Sequence, residues 1–242
     1  MQRRVRNLYI RFLRARIRDE INRQRLKLIW DIWGYRLWLG APLPIRKRLG
    51  LLWRFIVIDW NVVHGHKPSE IVHVLRSIAA RRAEPGEVIL EAGCWKGGST
   101  CKFSLVCAQM GYALEVYDSF EGVQAHEVGP GENDFSGSYA ASEAEVRQNL
   151  ARYGAEFVCT LHKGWFADTL QTVRPRLRVV YIDCDVAEGT QDVLRGVTPS
   201  MTLDGAIFTQ DFHIGAVRRV LEPYDVSHLS RNLASVHHDT WG

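Results

Sequence analysis

The residues in this sequence with the most chemical potential are carboxylates at the ends of apolar runs. Asp183-Cys-Asp185 closes a strand expected at Leu177–Asp183, and Gln210-Asp211 follows one expected at Gly205–Thr209. Carboxylates at the ends of adjacent parallel strands converge on one edge of a pocket, and their oxygens suit a hard divalent cation such as magnesium. Such an ion lowers the pKa of a bound hydroxyl, and a spare carboxylate can take the proton. Two acids after a buried strand serve equally well as helix caps.

A second constellation is Glu91-Ala-Gly93-Cys-Trp-Lys-Gly97-Gly98-Ser99-Thr100. Its glycines let the backbone pass close to a ligand, and a helix starting near Ser99 offers free N–H groups to a carboxylate or phosphate. Trp95 fills a position where a dinucleotide fingerprint wants glycine, and a tight strand–helix connection could use the same residues. A third is Tyr117-Asp118, 25 residues past Gly93, where an acid can hold the two ribose hydroxyls of an adenosine ligand or cap its own turn. His64-Gly-His66 and His237-His238 could ligate a metal, but solvated loops are the expected reading.

These residues need a scaffold that brings strand ends together. From Pro68 onward the sequence alternates strands and helices. A helix is expected from Pro68 to about Arg82, strands at Val88–Ala92, Ala113–Tyr117 and Phe157–Leu161, and the two named above. Helices are expected at Ser99–Met110, from a Ser142/Glu145 capping box to Tyr153, and near Ala167–Thr172 and Glu188–Leu194. This is an α/β fold: a doubly wound, mostly parallel sheet with right-handed crossovers. The Gly122–Ser138 loop is too long to be idle in a compact domain. Residues 1–67 form a basic, Trp-rich helical arm, with one helix through Val5–Ile21, a second through Leu26–Leu37 and an apolar patch at Leu51–Trp60; residues 68–242 form the binding domain.

Four stretches together resemble the macrocin O-methyltransferase (TylF) family of class I methyltransferases, over about residues 70–220. They are Glu91-Ala-Gly-Cys-Trp-Lys-Gly-Gly-Ser99, Tyr117-Asp-Ser-Phe-Glu-Gly122, Lys163-Gly-Trp-Phe-Ala-Asp-Thr-Leu170, and Asp183-Cys-Asp185 with Gln210-Asp211. The resemblance implies a Rossmann-like fold and transfer of a methyl group from S-adenosylmethionine to a sugar hydroxyl. It implies that Glu91 and Gly93 line the methionine end of the cofactor, and Gly97 and Ser99 in the same turn are also expected to bind the cofactor. Asp118 would hold the ribose, with Ser119 and Phe120 beside it, and Trp165 and Phe166 would pack near the adenine. Asp183 and Asp211 would bind magnesium, with Gln210 where the family usually has a second aspartate, which makes a weaker site. Asp185 would be the general base, with His213 the natural substitute if the metal is lost.

Charge divides the chain. Residues 1–50 hold fourteen Lys+Arg against three acids, whereas the rest holds 17 basic and 24 acidic residues. A helix with arginines on one face and large apolar residues on the other suits an anionic membrane surface, a second subunit or the catalytic domain itself. Five cysteines without a C-x-x-C pair fit a reducing compartment and no disulfide framework. No apolar run approaches the ~20 residues of a membrane span, and no aromatic–basic alternation points to nucleic acid. The expectation is a cytoplasmic enzyme, peripheral on the inner face of the membrane if the arm binds lipid, acting on a sugar-containing small molecule or a lipid-linked glycan. Two rivals are a cofactor-binding protein without methyl transfer and a membrane-surface scaffold.

Overall fold

The computed structural model describes residues 25–125, 134–171 and 176–237. Seven strands form one sheet: β1 (Glu87–Ala92), β2 (Ala113–Asp118), β3 (Cys159–Lys163), β4 (Arg176–Ile182), β5 (Met201–Thr209), β6 (Asp225–His228) and β7 (Ala234–His237), in the order β3-β2-β1-β4-β5-β7-β6. The first five run parallel. Strand β7 pairs antiparallel with both β5 and β6.

The parallel strands are covered on both faces, and their sequences are accordingly almost continuously apolar. Side chains alternate between two cores. Ile89, Val179, Tyr181 and Phe208 join one built with α2 (Ile45–Asn61), α3 (Pro68–Ala79), α4 (Gly98–Met110) and α5 (Glu143–Tyr153). Val88, Leu90, Val180, Ile182 and Ile207 join the other, under α6 (Phe166–Thr169), α7 (Ala187–Val197) and α8 (Gly215–Leu221). An additional helix, α1 (residues 25–34), continues as a 3-10 turn over Tyr35–Gly40. Tyr35 and Trp38 in that turn are fully buried, with ring centroids 5.6 and 5.1 Å from Phe55 of α2.

The expected parallel strands are all present, with three adjustments. Strand β3 starts at Cys159 rather than Phe157, because its first partner on β2 is Leu114; Phe157 lies in a 3-10 turn and is 85% exposed. Strand β5 reaches back to Met201. Strands β6 and β7, four residues each, were not foreseen. The helix expected to reach Arg82 stops at Ala79. The helix expected at Val5–Ile21 lies outside the described residues. No helix among the described residues is long and apolar enough to cross a membrane, and all five cysteines are free.

Candidate active site

A cavity of about 300 Å³ opens beyond the carboxyl ends of β1, β2, β4 and β5. The chain reverses its direction of winding between β1 and β4, and this switch point is where open α/β sheets bind ligands. Glycine is required at the junction. Gly93 has φ +86°, and a Cβ there would lie 1.9 Å from the Asp183 carbonyl oxygen. The ends of β1 and β4 therefore touch only because residue 93 has no side chain.

Asp118 joins two turns of the wall. Its carboxylate accepts from the backbone N–H groups of Cys94 (2.7 Å), Trp95 (3.3 Å) and Phe120 (2.7 Å). Asp118 thus caps its own turn, as one reading of the sequence expected, and it also lines the cavity. Glu91 lies behind the Gly-rich turn rather than in the wall. One of its oxygens accepts from the Ser99 hydroxyl, and the other is buried without a partner. Burial pushes its pKa up to about 8, against the opposing pull of the Ser99 and Thr100 hydroxyls. Gly97 caps α4 in the left-handed region and faces Val146 and Thr100, and Phe120 is buried; neither lines the cavity. Gly93, Ser99, Ser119, Trp165 and Phe166 all do.

The acids assemble beyond the ends of β4 and β5. Oxygens of Asp183, Asp185 and Asp211 lie within 4.8 Å of one another. Asp211 accepts from the N–H groups of Cys184 and Asp185, both at 2.9 Å. Burial, then mutual repulsion, raises Asp211 to about 7 and Asp183 well above the usual carboxylate range; burial brings Asp185 to about 6. Three oxygen donors that repel one another in a buried pocket fit a hard divalent cation. Gln210 is not part of this group. Its carbonyl accepts from Tyr181 (3.2 Å) and its amide donates to Glu70 (2.9 Å), so it builds the wall beside the acids. His213 lines the cavity too, its pKa lowered by burial and by Arg231, which favours the neutral imidazole.

Three non-glycine residues of the wall hold left-handed backbone: Trp95 (φ +47°), Tyr139 (+56°) and Asp185 (+62°). Such strain persists where the surroundings over-determine it and gathers at functional sites. Trp95 and Tyr139 meet edge to face with centroids 5.1 Å apart, and Phe135 lies 6.3 Å beyond.

The histidines of His64-Gly-His66 are not solvated, contrary to expectation, although Gly65 between them is exposed. His66 is buried, and Lys102 of α4, itself fully buried, lies 2.5 Å from its Nε2. Lys102 also pairs with Asp59, which accepts from Tyr35 (2.8 Å) and sits 2.9 Å from His64. Burial alone would raise the Asp59 pKa, but Lys102 and His64 outweigh it and lower it. Asp59, His64 and His66 have metal-like spacing, yet the Lys102 ammonium already fills the cation's place. A lysine inside the apolar run of α4 was the available signal; its partner, 43 residues upstream, had none.

A seven-stranded sheet of this order, with a Gly-rich turn, Asp118 at the end of β2 and a carboxylate group around one cavity, defines a class I methyltransferase. The profile of the macrocin-O-methyltransferase (TylF) family matches residues 65–240, and the chain belongs to that family. It is an S-adenosylmethionine-dependent O-methyltransferase. It is 32% identical over 189 residues to 8-demethyl-8-(2,3-dimethoxy-alpha-L-rhamnosyl)-tetracenomycin-C 4'-O-methyltransferase of Streptomyces olivaceus, covering 71% of each chain. It is 30% identical over 145 residues to demethyldecarbamoylnovobiocin O-methyltransferase of Streptomyces niveus, spanning 53% of each. Among solved structures, the fold is similar to the calicheamicin methyltransferase CalS11 (TM-score 0.55, 16% identity, 88% of this chain and 92% of that one). It is also similar to the O-methyltransferase NovP (TM-score 0.54, 22% identity, 62% and 71%).

Proposed function

We propose that the enzyme methylates a sugar hydroxyl of a glycoside or lipid-linked glycan in the cytoplasm, with magnesium assistance. The observation that carries the reading is the group Asp183, Asp185 and Asp211 in the same cavity as the Gly-rich turn. The relatives named above, whose names include a rhamnosyl acceptor, support a sugar. So does the aromatic corner of Trp95 and Tyr139, since apolar C–H faces of a sugar ring pack well on aromatic rings.

In this reading residues 68–242 are the cofactor domain and residues 1–67 an accessory segment. S-adenosylmethionine, held by the turn at Glu91–Ser99, by Asp118 and Ser119, and by Trp165 and Phe166, supplies an electrophilic methyl group when bound. Magnesium, held by Asp183 and Asp211 with the Gln210 amide beside them, would make the acceptor hydroxyl more acidic. Asp185 accepts the hydroxyl proton as the oxygen–methyl bond forms. Burial raises its pKa above the ordinary carboxylate range, which makes it a stronger base than an exposed aspartate. His213, neutral and at the same wall, is the alternative acceptor. Much of the acceleration would come from fixing donor and acceptor in line.

The test is Asp185→Asn, assayed with methyl-labelled S-adenosylmethionine on a panel of rhamnosylated glycosides, with S-adenosylhomocysteine binding followed by calorimetry. Turnover should fall by about a hundredfold or more while binding is kept. Full activity in the variant removes Asp185 from its role. Asp118→Ala should instead lose binding. S-adenosylhomocysteine binding by the wild type with no product on any acceptor would favour a binding protein without methyl transfer.

A further inference from the structure

Eleven of the fourteen large hydrophobic side chains that stand exposed among the described residues fall between positions 26 and 63. On α1, Leu26, Ile29, Trp30 and Trp33 lie within an arc of about 100°. On α2, Ile45, Leu49, Trp53 and Trp60 share an arc of about 80°. Trp30, Trp33 and Trp53 are 68%, 60% and 59% exposed. The two helices meet where the Trp60 indole donates to Asp31 (3.0 Å) and Lys27 lies over the Trp60 ring. A soluble monomer rarely exposes so much contiguous apolar surface without a partner.

The charges around this face identify the partner. Arg25, Lys27, Arg36, Arg46 and Lys47 are all exposed beside it. No acid between residues 25 and 63 is exposed: Asp31 is turned in toward Trp60 and Lys27, and Asp59 toward Lys102 and His64. The sequence before residue 25 adds eight arginines against two acids. A second copy docked symmetrically on this face would set the same cations against themselves, with no carboxylate to answer them. An anionic lipid surface answers them all. Tryptophan, with an apolar ring and one N–H donor, is suited to the boundary between headgroup and acyl chain.

We propose that the outer face of α1 and α2 docks the enzyme on an anionic phospholipid bilayer. Helix α2 ends at Asn61, two residues before Val63 and His64 in the wall of the cavity. Docking therefore brings the cavity to the membrane surface, where an acceptor carried on a lipid would be presented. The inference does not depend on the identity of the acceptor, and cofactor binding is measured separately so that the two readings can fail separately.

The full chain is sedimented with vesicles of phosphatidylcholine alone and with phosphatidylcholine–phosphatidylglycerol vesicles, at low and high salt. Binding is expected to the anionic vesicles only, and to weaken as salt screens the basic residues. The variant Trp30→Ser/Trp33→Ser/Trp53→Ser should bind them at least about tenfold more weakly. Arg46→Gln/Lys47→Gln should reduce the preference for the anionic lipid. Both variants should keep wild-type affinity for S-adenosylhomocysteine, which shows that they are folded. Failure of the wild type to sediment with anionic vesicles overturns the proposal. So does a wild-type dimer, seen by light scattering, that the tryptophan substitutions convert to monomer.

Discussion

Glu91 is a carboxyl whose state is set by burial behind the Gly-rich turn. Its ordinary pKa of about 4.3 rises to about 8 in the fold, chiefly because it is buried. The folded protein thus holds this proton more tightly than the unfolded chain. The stability gained is full below the ordinary carboxylate range and is lost as pH rises toward 8. Glu91→Gln is therefore expected to raise the melting temperature of the ligand-free protein at pH 8 far more than at pH 5, measured by thermal unfolding. Gly93 makes a simpler prediction. In Gly93→Ala the new methyl collides with the Asp183 carbonyl, and a loss of about 3 kcal/mol or more is expected in denaturant unfolding. Both positions were legible as strand-end residues in the sequence. The missing partner of Glu91 was not, because it depends on where the Ser99 and Thr100 hydroxyls point.

At the scale of elements, α2 and α4 are locked by the Lys102–Asp59 pair, one side chain from each. Removing one partner leaves a buried charge unanswered, so Lys102→Met should cost about 3–5 kcal/mol in urea unfolding. Adding Asp59→Asn should recover much of that, since two neutral groups carry a far smaller desolvation penalty. The parallel strands were legible because each is buried on both faces and reads as an apolar run. Strands β6 and β7 were not: Asp225-Val-Ser-His228 is short, polar and mostly exposed, and pairing with β7, not periodicity, makes it a strand. The aspartates could be placed at strand ends from sequence. The turning of Gln210 toward Glu70 could not, because it is set by a helix 140 residues away.

Across the whole molecule, a polar cluster closes the end of the sheet opposite the cavity. Arg81, just after α3, holds Glu87 of β1 (2.7 and 2.8 Å) and Asp204 of β5 (2.9 Å). These contacts lower Glu87 and bring Asp204 to about 2, with the Arg81 hydrogen bond the largest cause in each. Carboxylates with depressed pKa stabilise the fold above the ordinary carboxylate range, and that stability is lost as pH falls toward 2. Arg81→Ala should therefore shift the acid unfolding midpoint upward, followed by circular dichroism, with little change at pH 7 in the affinity for S-adenosylhomocysteine. Asp204 is half exposed, so Asp204→Asn should shift the midpoint less. The division of charge along the chain was visible in the sequence, but the face on which the N-terminal tryptophans emerge needed the packing of α1 and α2.

Glu70 has a temporal consequence. Beyond Gln210, its carboxylate accepts from Ser230 (3.1 Å) and Asn232 (3.2 Å), contacts that span 160 and 162 residues of chain. Clasps over such sequence separations carry a loop-closure cost that local contacts do not. During synthesis, the wall that carries Gln210 and Asn232 cannot be fastened until residue 232 has left the ribosome. A nascent chain holding every aspartate of the cavity is thus still short of its closed pocket, and the enzyme comes of age only once the β6–β7 hairpin has emerged.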